Sequence, residues 1–521
     1  MKRLTVFLIV IISFCLSGCN SSKQEHSEQT HHPQYSFDQK FRPQYHFSPK
    51  QKWMNDPNGM VYYEGTYHLF FQHYPEAMKW GPMHWGHTTS KDLFHWKHHD
   101  IALYPDSLGY IFSGSAVVDK NNSTGFQSGE DKPLVAIFTH HNPDDGLQTQ
   151  SIAYSTDAGE TWTKYNGNPV IKNPGIRDFR DPKVFWHQKT SKWIMVLAAG
   201  DHVRFYSSPD LKDWTLESEF GKNVGAHGGV WECPDLFPLA LDGNERNKKW
   251  VLLVSINPGA PNGGSGTQYF VGDFDGHRFV NESKNHQWID YGTDNYAGVT
   301  WSNVPDREIF IGWMNNWTYA DTIPTSTWRG SMTLPRKLTL STVGGNPRLL
   351  SQPVKEICAL KEEVFSLKDK KISKNSLNKT FPEIPLEESQ LYFRMKAGDA
   401  DNILIRFFNR RKEELVIDFD KQNEQISVDR RNAGIDNFHK AFPKILEAPF
   451  RQYSDSLNFK VFFDRSSMEL FVNGGERVMT NRIFPSEPYT HLEVLTSSGE
   501  AHLGQLKIFE MESVWGKEEL N

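Results

Sequence analysis

The stretch Ser90-Lys91-Asp92-Leu93-Phe94-His95-Trp96 decides the fold class, because it recurs. It returns as Ser155-Thr156-Asp157-Ala158-Gly159-Glu160-Thr161-Trp162 and as Ser208-Pro209-Asp210-Leu211-Lys212-Asp213-Trp214. A looser copy is Gly272-Asp273-Phe274-Asp275-Gly276-His277-Arg278-Phe279. Each copy ends an apolar run, turns on an aspartate and opens the next run with an aromatic ring, as a hairpin turn between strands does. The aromatic members are 66, 52 and 65 residues apart. A repeat of about 60 residues made of about four strands is the mark of a propeller blade, and about 295 residues hold five of them.

Outward from the repeat, residues 45–340 contain short aromatic and β-branched runs (59–63, 67–71, 133–138, 192–197 and 249–254) and no long segment of helical period. Asp145-Gly146, Asp242-Gly243 and Asp275-Gly276 separate runs as hairpin turns do. Residues 341–360 read as a linker, with a turn at Gly344-Gly345-Asn346-Pro347. From 361 to 515 apolar and polar residues alternate in runs such as 391–395, 402–408, 414–419, 459–464 and 468–473. That pattern predicts strands with one buried face, assembled as a sandwich. The expected fold is all-β: a five-bladed β-propeller over 45–340 followed by a C-terminal β-sandwich over 361–515.

The chain opens differently. Lys2 and Arg3 precede an apolar run, Leu4 to Leu16, that is too short to span a bilayer and ends in Leu16-Ser17-Gly18-Cys19. The ending resembles a bacterial lipobox. It predicts a lipoprotein-type signal over 1–19, lipid on Cys19 and a polar tether over 20–44. The mature protein would then be exported and held to a bacterial membrane by its lipid alone.

Composition narrows the function. With 38% apolar and 23% charged residues, the 521-residue chain is neither disordered nor membrane-spanning in bulk. A net charge of −6 disfavours nucleic acid as a partner. The 35 Phe, 18 Tyr and 16 Trp suit β architecture and surfaces that stack on flat ligands. Of four cysteines only Cys233 and Cys358 lie beyond the signal, which leaves no disulfide framework and no zinc spacing. The histidines are scattered, Gly263-Gly264-Ser265-Gly266 lacks the Lys-Ser/Thr of a phosphate loop, and no Gly-x-Ser-x-Gly segment occurs. No metal or cofactor is expected.

Three acids stand out. Asp56, in Trp53-Met54-Asn55-Asp56-Pro57-Asn58-Gly59, sits between amide side chains and before a proline, which favours an extended conformation for it. Read alone, the segment is an Asx turn at a strand end. Asp181, in Arg180-Asp181-Pro182, repeats the Asp-Pro device, with Arg180 able to keep it ionised or to clamp a hydroxyl. Glu232, in Trp231-Glu232-Cys233-Pro234, has apolar neighbours, the setting that suits a general acid near neutral pH. They fall in three different blades, and blades converge on one axis. Glycoside hydrolysis needs two carboxylates, and this set supplies both and a third.

Taken in order with Phe70-Phe71-Gln72, Trp80-Gly81-Pro82-Met83-His84-Trp85, Phe112-Ser113-Gly114-Ser115 and Gly312-Trp313-Met314-Asn315-Asn316-Trp317, these segments resemble glycoside hydrolase family 32. That family comprises fructan-cleaving β-fructosidases, among them levanases, inulinases and invertases. The resemblance is dense over 45–340 and looser beyond, at Val428-Asp429-Arg430 and Phe463-Asp464-Arg465-Ser466. It implies a retaining hydrolase of β-fructofuranosidic bonds in fructans, fructo-oligosaccharides and sucrose. Asp56 would be the nucleophile, Glu232 the acid/base and Asp181 the transition-state stabiliser. Asn55, Gln72, Ser113 and Arg180 would hold sugar hydroxyls, and Trp80 and Trp313 would wall the pocket. A monomer acting on a fructan polymer or oligomer is expected. The alternatives are an endo-acting levanase, a fructosyltransferase and a carbohydrate-binding propeller without catalysis, and three intact acids argue against the last.

Overall fold

The computed structural model describes residues 37–282, 286–374, 381, 383–452 and 454–516. The expected signal over 1–19, its lipidation site Cys19 and the tether up to residue 36 lie outside the described residues.

Five antiparallel blades succeed one another along the chain, the last two joined into one sheet where Leu241 pairs in parallel with Leu340. Blade 1 holds Lys52–Tyr63, Thr66–Tyr74, His84–Ser90 and Trp96–His98; blade 2 holds Tyr110–Val118, Leu134–His141, Gln148–Ser155 and Thr163–Lys164. Blade 3 holds Phe179–His187, Lys192–Ala199, Val203–Ser208 and Thr215–Phe220. Blade 4 begins at Val230–Leu241, Asn244–Asn257 and Gly266–Phe274; blade 5 holds Tyr296–Thr300, Glu308–Trp313, Arg336–Val343 and Asn346–Pro353. The first strand of each blade lies innermost. The ring closes where Trp328–Arg329, from late in the propeller, pairs in parallel with Lys52 and Trp53 of blade 1.

The repeated Ser-x-Asp-aromatic segment is the hairpin between the third and fourth strands. In blade 1 Asp92 Oδ1 accepts from the backbone N–H of Phe94 and His95 at 2.9 and 2.8 Å. Asp210 receives Lys212 and Asp213 in the same way, and Asp275 receives His277 and Arg278. A carboxylate that binds the backbone two and three residues ahead makes the turn, so the repeat needs its aspartate more than its other members.

Each innermost strand carries a bulge at the same depth, and those of blades 1 and 4 have a second irregularity further on, at Asn58–Val61 and Ala240–Leu241. Three residues oppose two across Met54–Pro57, Ile111–Gly114, Arg180–Lys183, Glu232–Asp235 and Tyr296–Val299. A bulge bends the strand and re-aims its side chains. Pro57, Gly114, Pro182, Pro234 and Gly298 lie in or close these five bulges, either unable to donate a ladder bond or without a side chain to clash. At Gly114 a Cβ would stand 2.0 Å from the carbonyl oxygen of Ile137.

Two boundaries differ from the sequence reading. The stretch 341–360, read as a linker, contains the outer strand Asn346–Pro353, which pairs with Arg336–Val343 over eight residues, followed by a 3₁₀ turn at Lys355–Leu360. Its Gly-Gly-Asn-Pro turn is a hairpin within blade 5. The tether, read to residue 44, is already packed by residue 41. Phe41, Arg42 and Gln44 are buried, and Arg42 donates to Ser48 Oγ at 3.0 Å and to the Pro49 carbonyl.

The sandwich pairs a six-stranded sheet with a five-stranded one. Phe393, Phe459, Val461 and Leu470 of the first meet Ile405, Phe407, Ile417 and Val428 of the second in a closed core. Along the strands Ser456–Asp464 and Ser467–Val472 the alternate side chains point the other way. Phe462 and Phe471 there join Phe47, Met332, Leu334 and Val354 of the propeller in one buried cluster. Both faces of this sheet are thus covered.

Candidate active site

The bulges turn five strands into one site. At the first bulge position of blades 3, 4 and 5 stand Arg180, Glu232 and Tyr296. Their side chains connect in that order: Arg180 Nε and Nη2 donate to Glu232 Oε1 at 3.1 and 2.9 Å, and the Tyr296 hydroxyl donates to Glu232 Oε2. At the next position Asp181, Cys233 and Ala297 adopt φ of 65°, 44° and 53°. This left-handed backbone costs a residue with a side chain about 1–2 kcal/mol and is held by the surrounding strands. It drops the Asp181 carboxylate onto the N–H of Cys233 at 3.0 Å. Blades 1 and 2 bring the third position forward, where Ser113 Oγ donates to Asp56 Oδ2 at 2.6 Å.

Asp56 is therefore not at a strand end, as its sequence suggests, but inside the strand Lys52–Tyr63, at the bulge. Its other oxygen accepts from Asn55 Nδ2 at 3.0 Å, and Asn55 is oriented by Trp53 Nε1 at 2.7 Å. Cys233 Sγ lies 3.6 Å from both Asp56 Oδ2 and Asp181 Oδ2, so a thiol separates the two carboxylates. Below them Lys183 Nζ meets Asp235 at 3.2 Å, and Thr300 donates to the same aspartate through N and Oγ1. This ion pair ties blades 3, 4 and 5 close behind Asp181 and Glu232.

The electrostatics are one-sided. Asp178, Asp181 and Glu232 surround a single guanidinium, that of Arg180, whose Nη1 reaches Asp178 at 2.7 Å, while Asp56 has only neutral donors. Burial raises the Asp56 carboxyl above its usual range despite the hydrogen bonds from Ser113 and Asn55. Burial pushes Asp181 up to about 7, against the opposing pull of Arg180 and with help from Glu232 and Asp56. Burial alone would lower Arg180, but Glu232 and Asp181 outweigh it and hold the guanidinium charged. The Cys233 thiol is raised well above its usual value, first by burial and then by the acids, so it stays protonated and can donate. Among the described residues no group of three or more His, Cys, Asp or Glu is arranged to hold a metal ion.

A cavity of about 330 Å³ opens over these groups, lined by Asn55, Asp56, Gln72, Trp80, Phe112, Ser113, Arg180, Asp181, Val230, Glu232, Asn257 and Trp317. Trp313, read from sequence as a wall of the pocket, is not in the lining. It is 0% exposed and packs behind Trp317 at 4.9 Å and Trp53 at 6.0 Å. The Asn315-Asn316 turn that follows swings Trp317 to the front instead. Glu232 was expected among apolar neighbours, yet the bulge turns it from Trp231 and Cys233 towards Arg180 and Tyr296. Tyr296, Asn257 and Val230 were not singled out from sequence. Tyr296 had a detectable signal, since it stands two residues before Gly298 as Glu232 stands two before Pro234 and Arg180 two before Pro182.

The chain matches known proteins along nearly all its described length. The family model described as Glycosyl hydrolases family 32 N-terminal domain matches residues 46–353, and that for the family 32 C terminal matches residues 359–510. A levanase from Bacillus subtilis is 49% identical over 487 residues, covering 92% of this chain and 72% of the levanase. The crystal structure of exo-inulinase from Aspergillus awamori superposes with a TM-score of 0.87 at 38% identity, covering 92% of this chain and 100% of that one. A fructofuranosidase from Schwanniomyces occidentalis complexed with fructose gives 0.82 at 35% identity, over 92% of this chain and 99% of that one. With its cavity at the axis of a propeller and a sandwich behind it, the chain belongs to glycosyl hydrolases family 32.

Proposed function

We propose that this protein hydrolyses β-fructofuranosidic bonds of fructans by two successive displacements at the anomeric carbon, from opposite faces of the sugar. The observation that carries the reading is the meeting of Asp56, Asp181 and Glu232, from three blades, in one cavity with Arg180. Depth divides their work. Asp56 is buried, held by Ser113 and Asn55 and stripped of water, and it attacks the anomeric carbon to form a covalent fructosyl-enzyme. Glu232 has the most exposed side chain of the three, at 19%, so it reaches both the departing oxygen and the incoming water from the mouth. It gives its proton to the glycosidic oxygen as the bond breaks. It then takes one from the water that attacks the same carbon and frees Asp56. Asp181, beside the reacting ring, stabilises the oxocarbenium-like charge and binds fructose hydroxyls. Arg180 keeps Glu232 oriented, and Trp80 and Trp317 wall the sugar.

The test is fructose release from levan and inulin. Asp56→Asn should lower kcat by about 10⁴-fold or more while the protein stays folded. Nuclear magnetic resonance of the first product should show the β-anomer. Undiminished release by the variant, or first appearance of the α-anomer, would sink the assignment.

We also propose that the protein is exported and anchored by lipid on Cys19, on the strength of the Leu16-Ser17-Gly18-Cys19 segment after a short apolar run. Cys19→Ala should shift the enzyme from the membrane fraction to the soluble one. An unchanged distribution would remove the anchor.

A further inference from the structure

Soluble proteins leave few large rings in water without use, and contiguous ones mark contact surfaces. Among the described residues the exposed large apolar side chains are Trp80, Tyr104, Leu147, Leu216, Val280, Val364 and Ile445. The two aromatic ones are Trp80 at 42%, in the cavity lining, and Tyr104 at 54%, on the connection between blades 1 and 2. Two runs of ring contacts, joined by one backbone hydrogen bond, link them. Trp80 meets Phe112 edge-on at 6.0 Å, Phe112 stacks on His141 at 4.5 Å and 9°, and Tyr110 lies 6.1 Å from His141. The N–H of Ile111 donates to the Met83 carbonyl at 3.0 Å, which sets Tyr110 beside the strand that begins at His84. His84 in turn meets Tyr104 at 5.4 Å.

The outer end is built, not frayed. Lys164 Nζ donates to the Tyr104 carbonyl at 2.5 Å and to Asp106 Oδ2 at 2.6 Å. Asp106 and Gly109 exchange two backbone hydrogen bonds. The ring is therefore presented on a pinned loop, so little ordering entropy is lost when a ligand lands on it. Burial lowers both His84 and His141 below their usual value, which leaves the strip uncharged at neutral pH. Rings with the polar groups of Lys164 and Asp106 at their outer end suit a ligand with apolar C–H faces and many hydroxyls.

We propose that Tyr110, His141, His84 and Tyr104 form a binding path for the sugar units of a fructan chain that lie beyond the scissile bond. The inference rests on the reading of the cavity as the fructosidase site. The strip starts at Trp80 and Phe112, which line that cavity, and runs away from the acids. Its occupants would be units that do not react, reached only by a chain longer than a disaccharide. Chain length, not linkage, is what such a path senses.

The experiment compares a long and a short substrate on Tyr104→Ala, Tyr110→Ala and the double variant, with Leu216→Ala as a control for exposed-residue loss elsewhere. For levan or inulin, kcat/KM should fall by about threefold to tenfold per ring, the measure of a stacking contact. For sucrose it should stay within about twofold, and thermal unfolding should not move. Equal losses on polymer and sucrose, or none on either, would overturn the path. Should the wild-type protein cleave neither substrate, the reading of the cavity would fail first, a distinct result.

Discussion

Two places in this molecule bury many charges, and they are built on opposite rules. Where the propeller meets the sandwich, the propeller contributes His46, Arg336, Asp290 and Asp294, and the sandwich contributes Arg430, Arg482, Asp464 and Glu469, all buried. Four groups are basic and four acidic, and the contacts cross: His46 with Asp464 and Glu469, Arg336 with Glu469, Arg430 with Asp294. At the cavity three carboxylates, Asp178, Asp181 and Glu232, share the single guanidinium of Arg180, and a fourth, Asp56, is held by neutral donors alone. The first arrangement neutralises itself and fixes how two domains dock. The second leaves acids short of partners, which is the state a sugar's hydroxyls and an oxocarbenium charge can complete. A buried charge cluster thus signals function by its imbalance rather than by its size.

The comparison breaks if removing one cation from the balanced cluster is harmless. Arg336 donates to Asp290 at 2.9 Å, to Thr480 at 2.6 Å and to Glu469. Arg336→Met keeps much of the volume and strands two buried carboxylates, so unfolding in denaturant should show a loss of about 3–5 kcal/mol. Fructose release per folded molecule should be nearly unchanged. Destabilisation below about 1 kcal/mol would mean that the cluster's balance does not matter.

The imbalanced cluster should answer with the opposite sign. Asp181→Asn removes a buried charge yet keeps an acceptor for the Cys233 N–H. Fructose release should drop by about 10²–10³-fold. The melting temperature should rise by about 1–3 °C, as expected where activity and stability compete. A melting temperature that falls together with activity would make Asp181 a structural residue.

How legible these places were differs for a physical reason. The propeller showed in the sequence because its turns are local: an aspartate binding backbone two to four residues ahead leaves a short, repeating signature at Asp92, Asp157 and Asp210. Asp56 and Asp181 stood out because a proline follows each. What escaped was direction. Trp313 and Trp317 look alike in sequence, and only the turn between them decides which faces the cavity. Glu232 has apolar neighbours along the chain, but a bulge aims it at Arg180 and Tyr296, and bulges need a partner strand to exist. The five bulges nonetheless carry a mark, Pro57, Gly114, Pro182, Pro234 and Gly298, at intervals close to the blade length. The docking cluster was invisible, since Arg336 and Glu469 are far apart in the chain and share no motif.

The smallest expected effect is on pH, and it separates the two clusters. Each ring nitrogen of His46 faces a carboxylate, Nδ1 to Asp464 at 2.8 Å and Nε2 to Glu469 at 2.9 Å, and only the imidazolium has two N–H donors. Burial would lower His46, but these bonds raise it above its ordinary 6.5. Its stabilising contribution is complete below pH 6.5 and is lost as pH climbs through the folded-state value. Asp181, raised from 3.8 to about 7, acts over a lower window. Between those limits the folded protein binds the extra proton, so stability falls as pH rises from about 4 to 7 and levels off above. Both clusters therefore weaken the fold in the same direction, each by at most about 1.4 kcal/mol per pH unit. Buried histidines such as His68, His73 and His140, lowered to about 4, give the opposite slope below pH 6.5, so the two clusters are read from the difference in melting temperature between the wild type and a variant, on the order of a few degrees. The wild type should lose melting temperature relative to Asp181→Asn as pH rises from 5 to 7, and relative to His46→Gln above pH 6.5. A gap between the wild type and either variant that does not change with pH would mean that the substituted group does not hold its extra proton in the fold, because each group, taken alone, requires that dependence.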